Sequence, residues 1–576
     1  MAHFILKNHK SRLLLIMVVI VMSCGYALRS DAQYSRGMSD LEMSSLLSKK
    51  LQKSGFEADK MIRFFDPVSI RAFYEARDYR PLWNDTEDIR DILGIFEASW
   101  THGLNPNEYH VTQIKQFLKE GRRDGSGLEL AVTDGVMRYG HDLGGMRFDP
   151  SLIKQKAEYW RMPVDGLTLM KTVTASHDYV QAIKDFAPDN TLYVALQKEL
   201  VRLLQEESGY DHVLPMGFGG SNHFIPGSKS KDVVSLRIRL GVQYKPEYGA
   251  ENYYDDNTAS AMMAFQRAHG LEPDGIIGPQ SLAVLNRSNR DRMEQIVANL
   301  ERARWLPQEK PDRYLLVNIP QQLVWAVDKG KTVFEMKVVV GMPWRRTKEF
   351  TTEVKGVRFN PNWTVPIGIK MADFLPKLKE NPDYLTEKNI EIIKGYGKEA
   401  VTLDPHAIDW NTVGWKEMGA MRFVQNPGDD NALGAVRILM PNIYNIYMHD
   451  TNHPEFFERG QRTYSSGCIR LHEPEKMANF VLGGNGDWSP RDMDGIIATG
   501  KTTEVMTSKP FPVYIIYQTV WLDGKGQIVY GSDVYKRDRE LIDVLAAMHG
   551  YYLPVFGNAD IVSVDGEHQT ALAYNN

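Results

Sequence analysis

Apolar residues recur three and four positions apart through residues 39–55, 131–143 and 191–204, the spacing of one helix face. Gly103-Leu104-Asn105-Pro106 and Asp149-Pro150 punctuate this region. Residues 40–211 therefore read as short packed helices, a scaffold without an evident catalytic cluster. Residues 233–240 fit a helix or a strand. A compact unit follows: a predicted helix over 259–269, a stop at Gly270, a turn from Leu271 to Gly278, and a short helix over 281–286. The turn glycines suit positive φ, and Asp274 suits capping of the turn amides. Residues 290–305 predict a linking helix. Beyond them the period falls from near four to near two. Residues 314–318, 322–327, 332–340, 436–440, 445–449 and 513–519 predict strands, so the second half is β-rich. A charged stretch over 373–414, carrying Trp410 and near its end followed by Trp415, interrupts the strands and reads as a lid or a solvent-facing loop.

The N-terminus changes the picture by fixing a compartment. Lys7, Lys10 and Arg12 precede an apolar run over 13–22, the pattern of a secretory signal and short for a bilayer span. Ser30-Asp31-Ala32 and Cys24-Gly25-Tyr26-Ala27 offer cleavage points. An uncleaved anchor through residues 23–28 and lipidation at Cys24 are the alternatives. With 68 Lys and Arg against 73 Asp and Glu, and no basic tract, nucleic acid is not an expected partner.

Only two cysteines occur, Cys24 and Cys468. Processing beyond Cys24 leaves Cys468 with no disulfide partner, either buried and inert or kept for chemistry. It lies in Thr463-Tyr464-Ser465-Ser466-Gly467-Cys468-Ile469-Arg470-Leu471-His472. Thiol acyl transfer needs an activated thiolate, a base, and donors for the oxyanion. Gly467 permits an unusual backbone angle, and the amides around Gly467 and Cys468 are candidate donors. His449, at the end of a predicted strand, is the leading base, with His453 and His472 as competitors. Arg470, Arg462 and Arg459 either meet a carboxylate substrate or pair internally. No close cysteine pair or H-E-x-x-H argues for a metal, and no G-x-S-x-G elbow argues for a serine hydrolase.

These residues carry a resemblance. His449-Asp450-Thr451 through Ser465-Ser466-Gly467-Cys468-Ile469-Arg470-Leu471, with Cys468 19 positions after His449, is similar to the catalytic signature of the L,D-transpeptidase (YkuD-like) family. Phe457, Arg462, Asn360-Pro361-Asn362-Trp363-Thr364-Val365-Pro366, Gln425-Asn426-Pro427-Gly428, Asn431-Ala432-Leu433-Gly434 and Asn442 agree with it. Ala264-Phe265-Gln266, Gly270-Leu271, Asp274-Gly275-Ile276-Ile277-Gly278 and Leu282 resemble a small peptidoglycan-binding module. Tyr79-Arg80-Pro81-Leu82-Trp83, Tyr139-Gly140-His141-Asp142-Leu143 and Pro512-Val513-Tyr514 extend the resemblance to the large, YcbB-type branch. Two departures stand out: Ser466 where many relatives have histidine, and Asn452-His453-Pro454 where relatives tend to place proline directly after the Asp-Thr pair.

The resemblance implies a multidomain α+β architecture. It comprises a signal peptide or membrane anchor (1–32), a helical scaffold (40–245), a three-helix peptidoglycan-binding-like module (246–290) and a linker helix (291–311). A β-rich catalytic domain (312–520) with a capping insertion (373–414) follows, then a C-terminal extension (521–576) packed on the catalytic or scaffold domain. The implied activity is 3→3 cross-linking of peptidoglycan in a Gram-negative periplasm, without metal or other cofactor, by a carbapenem-reactive cysteine. Cys468, His449, Gly467 and Ser466 would form the catalytic group. Arg470, Arg462, Ser465, Trp410, Trp415 and Tyr447 would contact substrate. Phe265, Gln266, Asp274 and Gly275 would serve the wall-binding module. Stem peptides and glycan are the expected partners, with penicillin-binding proteins, lipoproteins and the inner membrane as further candidates. The alternatives are L,D-carboxypeptidase activity, exchange with a free D-amino acid, attachment of a lipoprotein, and a non-catalytic wall-binding protein.

Overall fold

The computed structural model describes residues 39–549, except 54–61, 121–124, 206–213, 216–219, 221–222 and 487. The signal or anchor segment and the end of the C-terminal extension lie outside the described residues. Among those described, no helix is long and apolar enough to cross a membrane.

The N-terminal helices pack around Gly125–Gly144, a helix buried along nearly its whole length. Its polar side chains are paired, as burial requires. Glu129 accepts from the Tyr74 hydroxyl at 2.7 Å and the Leu82 amide at 2.5 Å. Asp134 accepts from the Phe65 amide at 2.9 Å and meets His110 at 2.6 Å, and Asp142 accepts from Tyr109 at 2.8 Å.

Residues 233–240, ambiguous by pattern, lie in the helix Asp232–Leu240. Its Val233 and Leu236 enter one core with Tyr254, Met262, Ile277 and Leu285. The small module's core therefore draws on residues upstream of 246. Its main helices are Asp256–Ala268 and Pro279–Leu285.

The helix Asn289–Arg304 is more than a connector. It packs along Thr191–Gln205, and Ile296, Val297 and Leu300 share a core with Leu196, Leu200 and Leu203. Its buried Glu301 accepts from Arg147 Nε at 2.9 Å, Arg304 Nη2 at 2.5 Å and Trp305 Nε1 at 3.1 Å. On its other side, Asn299 Nδ2 donates to Thr519 Oγ1 at 2.7 Å. Polar side chains that the pattern left unexplained thus join scaffold to catalytic domain.

The β-rich half forms a nine-stranded sheet in the order Thr463–Ser465, Lys331–Gly341, Ile469–Leu471, Met448–His449, Val436–Leu439, Phe350–Phe359, Thr503–Ile516, Tyr314–Asn318, Leu323–Asp328. Leu323–Asp328 also pairs with Lys331–Gly341, which closes the sheet into a barrel. Met477, Val481 and Leu482 of helix Pro474–Leu482 share the barrel core with Val357, Ile438 and Val513. The strand Phe350–Phe359 was not anticipated: its Thr351-Thr352-Glu353 start and Gly356 obscure the alternation. Residues 445–447, expected in a strand, precede a pairing confined to Met448–His449.

The interruption is a folded unit rather than a loose loop. A four-stranded sheet, ordered Trp363–Thr364, Met421–Gln425, Ile390–Lys394, Val401–Leu403, closes over Phe374, Leu378, Leu385, Trp410 and Phe423. It is a subdomain with its own core. The C-terminal extension touches both neighbours: Tyr530 donates to Glu199 at 2.6 Å in the scaffold helix, and Tyr535 donates to the Gly341 carbonyl at 2.5 Å.

Candidate active site

Two short parallel strands bring the key residues together. Met448 pairs with Ile469 and His449 with Arg470, so Cys468 enters its strand beside Tyr447, and the Ile469 amide donates to the Tyr447 carbonyl at 2.8 Å. Cys468 is half-buried, and its Sγ lies 3.9 Å from the Asn445 carbonyl. His449 is buried, and its Nδ1 lies 2.5 Å from the Asp450 carbonyl. A carbonyl oxygen only accepts, so Nδ1 carries the proton and Nε2 the lone pair, the tautomer a base requires. The competing histidines stand elsewhere. His453 is exposed and pairs with Glu455 at 3.0 Å, and His472 packs against Phe457.

The charge state follows from burial and two arginines. Burial and the charge of Arg470 push His449 down to about 3; the bond to Asp450 opposes this, and Arg437 adds to it. Burial pushes the Cys468 thiol up, opposed by the Tyr447 amide and the charges of Arg437 and Arg470. At neutral pH the pair therefore rests as thiol and neutral imidazole.

A frame of hydrogen bonds sets the backbone around the nucleophile. Gly467 adopts φ of 119°, a region L side chains rarely enter. The Gly467 amide donates to Ser465 Oγ at 3.1 Å, and Ser465 Oγ donates to the Cys468 carbonyl at 2.5 Å. The Gly467 amide, one of the two expected oxyanion donors, is thus engaged locally, whereas the Cys468 amide has no acceptor among the described residues. The Gly467 carbonyl accepts from Thr347 Oγ1 at 2.9 Å, which itself accepts from the Gly341 amide at 2.9 Å. Arg345 Nη1 donates to Ser466 Oγ at 3.0 Å and pairs with Asp373 of the insertion through both guanidinium nitrogens, at 2.5 and 2.6 Å. Ser466 therefore lies at the junction between nucleophile loop and cap.

Several expected substrate contacts have other work. Arg462 is buried, and its guanidinium donates to the carbonyls of Val338 at 3.2 Å and Gln322 at 3.0 Å, so it ties strands rather than facing a ligand. Ser465 is likewise consumed by its loop. Trp410 is only 3% exposed, its ring packs on Phe423, and its Nε1 donates to the Pro405 carbonyl at 3.0 Å; it is a core residue of the insertion. Trp415 is 61% exposed. Arg470 reaches Thr451 Oγ1 at 3.3 Å beside the site, and Tyr447 lies under the Arg437 guanidinium, 3.6 Å from its ring centre. Sequence reasoning missed Arg437, Arg345 and Thr347. Arg437 alone carried a signal, a charge inside an apolar strand run.

In the small module, Gln266 is a clamp rather than an open contact. Its Nε2 donates to Asp274 Oδ1 at 2.8 Å and the Ile276 carbonyl at 3.0 Å, and its Oε1 accepts from the Gly275 amide at 2.8 Å. Gly275 has φ of 72°. Phe265 stacks on His269 with centroids 4.0 Å apart, and His269 stacks in turn near Tyr530. No group of three or more His, Cys, Asp or Glu suited to a metal ion occurs among the described residues.

Comparison with known proteins places this geometry. Residues 312–515 match the family model described as "L,D-transpeptidase catalytic domain". Residues 68–200 match "Scaffold domain", and residues 229–285 match "Putative peptidoglycan binding domain". A Haemophilus influenzae protein named "Putative L,D-transpeptidase" is 32% identical over 478 residues, covering 83% of this chain and 79% of its own. A solved L,D-transpeptidase from Stackebrandtia nassauensis is 12% identical over 51% of this chain and 94% of that one, with a TM-score of 0.18. One from Mycobacterium smegmatis is 12% identical over 36% and 58%, with a TM-score of 0.17.

Proposed function

The chain belongs to the L,D-transpeptidase family, and on that premise we propose that it is a murein L,D-transpeptidase of the large, YcbB type, forming 3→3 cross-links through a thioester on Cys468. The observation that supports the reading is the pairing of the strand that carries His449 with the strand that Cys468 leads into, with the Nδ1 of His449 engaged by the Asp450 carbonyl and its Nε2 left as a base.

In this reading His449 Nε2 takes the thiol proton as Sγ attacks the carbonyl of the third residue, a diamino acid, in a donor tetrapeptide. The Cys468 amide meets the oxyanion. Collapse breaks the peptide bond, and His449 returns the proton to the departing D-alanine amine. The side-chain amine of another stem then attacks the thioester, His449 takes its proton, and the thiol is restored. The cleaved amide supplies the acyl group, so no nucleotide is consumed. Water as acceptor would give carboxypeptidase activity, a lipoprotein lysine would give attachment to the wall, and a free D-amino acid would give exchange. In this reading the protein works in the periplasm, where its substrate lies, and the small module is a wall contact.

The test is mass spectrometry of purified muropeptides incubated with the protein and with Cys468→Ala. A tetra-tri dimer with loss of D-alanine, absent with the variant, is the expected result. Tripeptide monomer alone would replace cross-linking by hydrolysis, and equal products from both proteins would remove Cys468 from the mechanism.

A further inference from the structure

Among the described residues, Arg437 has no acidic partner. It lies on strand Val436–Leu439, directly opposite His449 in the antiparallel pairing. Its guanidinium carbon sits over Tyr447, 3.6 Å from the ring centre, and its Nε is buried without a hydrogen-bond partner. On its other flank it pairs across strands with Arg358, another cation, and that one is satisfied by Glu504, its Nε donating at 2.7 Å. No carboxylate lies within ion-pair reach of Arg437 among the described residues. Burial acts most strongly against its charge, Arg358 adds to that, and Tyr447, which also hydrogen-bonds it through its side chain, and the Cys468 sulfur oppose it.

A buried or half-buried guanidinium ordinarily meets a carboxylate, because desolvating a charge without a counter-charge is costly. Arg345 and Arg358 follow that rule; Arg437 does not. Beyond its contacts with Tyr447 the guanidinium has further N–H groups to give, and a guanidinium edge suits two carboxylate oxygens. Arg470, the other cation felt by Cys468, also has a buried Nε without a partner, but its Nη1 donates to Thr451 Oγ1 at 3.3 Å and it lies in the field of Glu455.

We propose that Arg437 is a specificity-determining residue that receives the C-terminal carboxylate of the donor peptide, the carboxylate carried by the residue that leaves. This rests on the acyl-transfer reading above. That carboxylate is separated from the scissile nitrogen by one Cα, and Arg437 stands opposite His449, whose strand pairs on its other side with the one Cys468 leads into. The assignment explains how the site would measure chain length: a donor ending one residue past the scissile bond puts its carboxylate on Arg437, and a donor extended by a further residue puts an amide there.

The experiment compares two synthetic tetrapeptide donors, one ending in a free carboxylate and one in a carboxamide. Acylation of Cys468 is followed by intact-protein mass for the unaltered chain, Arg437→Gln and Arg437→Lys. The readout is the ratio of the two rates within each protein, which does not depend on the folded fraction. The unaltered chain should favour the free acid by about tenfold to a hundredfold, the range of a charge-assisted contact. Arg437→Gln should bring the ratio near unity, and Arg437→Lys should keep part of it. A ratio preserved in Arg437→Gln would overturn the proposal, because Arg437 would then act on the thiol or the fold alone. A ratio near unity in the unaltered chain would overturn it while leaving acyl transfer standing. Acylation by neither donor would overturn the reaction itself, and this assignment with it.

Discussion

The hydroxyl of Thr347 is the most economical point at which to disturb the nucleophile without touching it. It donates to the Gly467 carbonyl and accepts from the Gly341 amide, both at 2.9 Å, within a buried loop that Arg537 Nη2 holds by the Thr347 carbonyl at 3.0 Å. The peptide unit between Gly467 and Cys468 is planar, so fixing its carbonyl also fixes the direction of the Cys468 amide. Thr347→Val keeps the shape and leaves one buried carbonyl and one buried amide unpaired. At about 1–3 kcal/mol for each unsatisfied group, the loss is about 2–4 kcal/mol after partial relaxation of the loop. Part of that relaxation turns the Gly467–Cys468 peptide and takes the amide off the oxyanion position. Removing an oxyanion donor outright costs about a hundredfold to a thousandfold in rate, so a displaced one should cost at least about tenfold. Acylation followed by intact-protein mass, with urea unfolding measured in parallel, reads both effects. Thr347→Ser keeps the hydroxyl and should recover most of the rate. Wild-type acylation by Thr347→Val would refute the reasoning, and a serine variant as slow as the valine one would show that methyl packing, not the hydrogen bond, holds the loop.

Two further predictions follow from charge and burial. Because His449 is pushed down to about 3 and the Cys468 thiol is raised, the pair should keep one working protonation state across neutral pH. Its kcat/KM for acylation should show no acid limb near 6.5, and a limb there would mean that His449 titrates normally. A histidine whose folded value is depressed stabilises the fold above its unfolded value and loses that contribution as pH falls. His449 and His102, both near 3, and His269, near 4, should therefore make unfolding easier from about pH 6.5 downward, measurable as a falling urea midpoint. In the insertion, Trp410→Ala should cost about 3–5 kcal/mol and expose the subdomain to proteolysis. Trp415→Ala, at an exposed position, should stay within about 0.5 kcal/mol of the parent. Equal proteolysis of the two variants would contradict the separate core.

What was legible in the sequence follows from what each pattern encodes. Strands such as Tyr314–Asn318 and Lys331–Gly341 announce themselves because one barrel face is buried and the other wet, or because the run is apolar throughout. Phe350–Phe359 hid because its Thr-Thr-Glu run puts polar residues on a central strand, where neighbours rather than propensity decide the conformation. The cysteine and its leading histidine stood out as residue types that are scarce and chemically pointed. Their supports did not, since a threonine donating to a carbonyl looks like any threonine until the loop closes. Trp410 and Arg462 show the converse: a tryptophan or an arginine reads the same whether it meets a ligand or the protein's own backbone. The distinction lies in which hydrogen bonds are already taken. By that criterion Arg462, with its donors committed to carbonyls, is a weaker ligand candidate than Arg437, whose Nε is buried without a partner among the described residues. The site is thus better described by its unspent polar groups than by its motif: among the described residues the Cys468 amide, the lone pair of His449 and the Nε atoms of Arg437 and Arg470 are left without a partner.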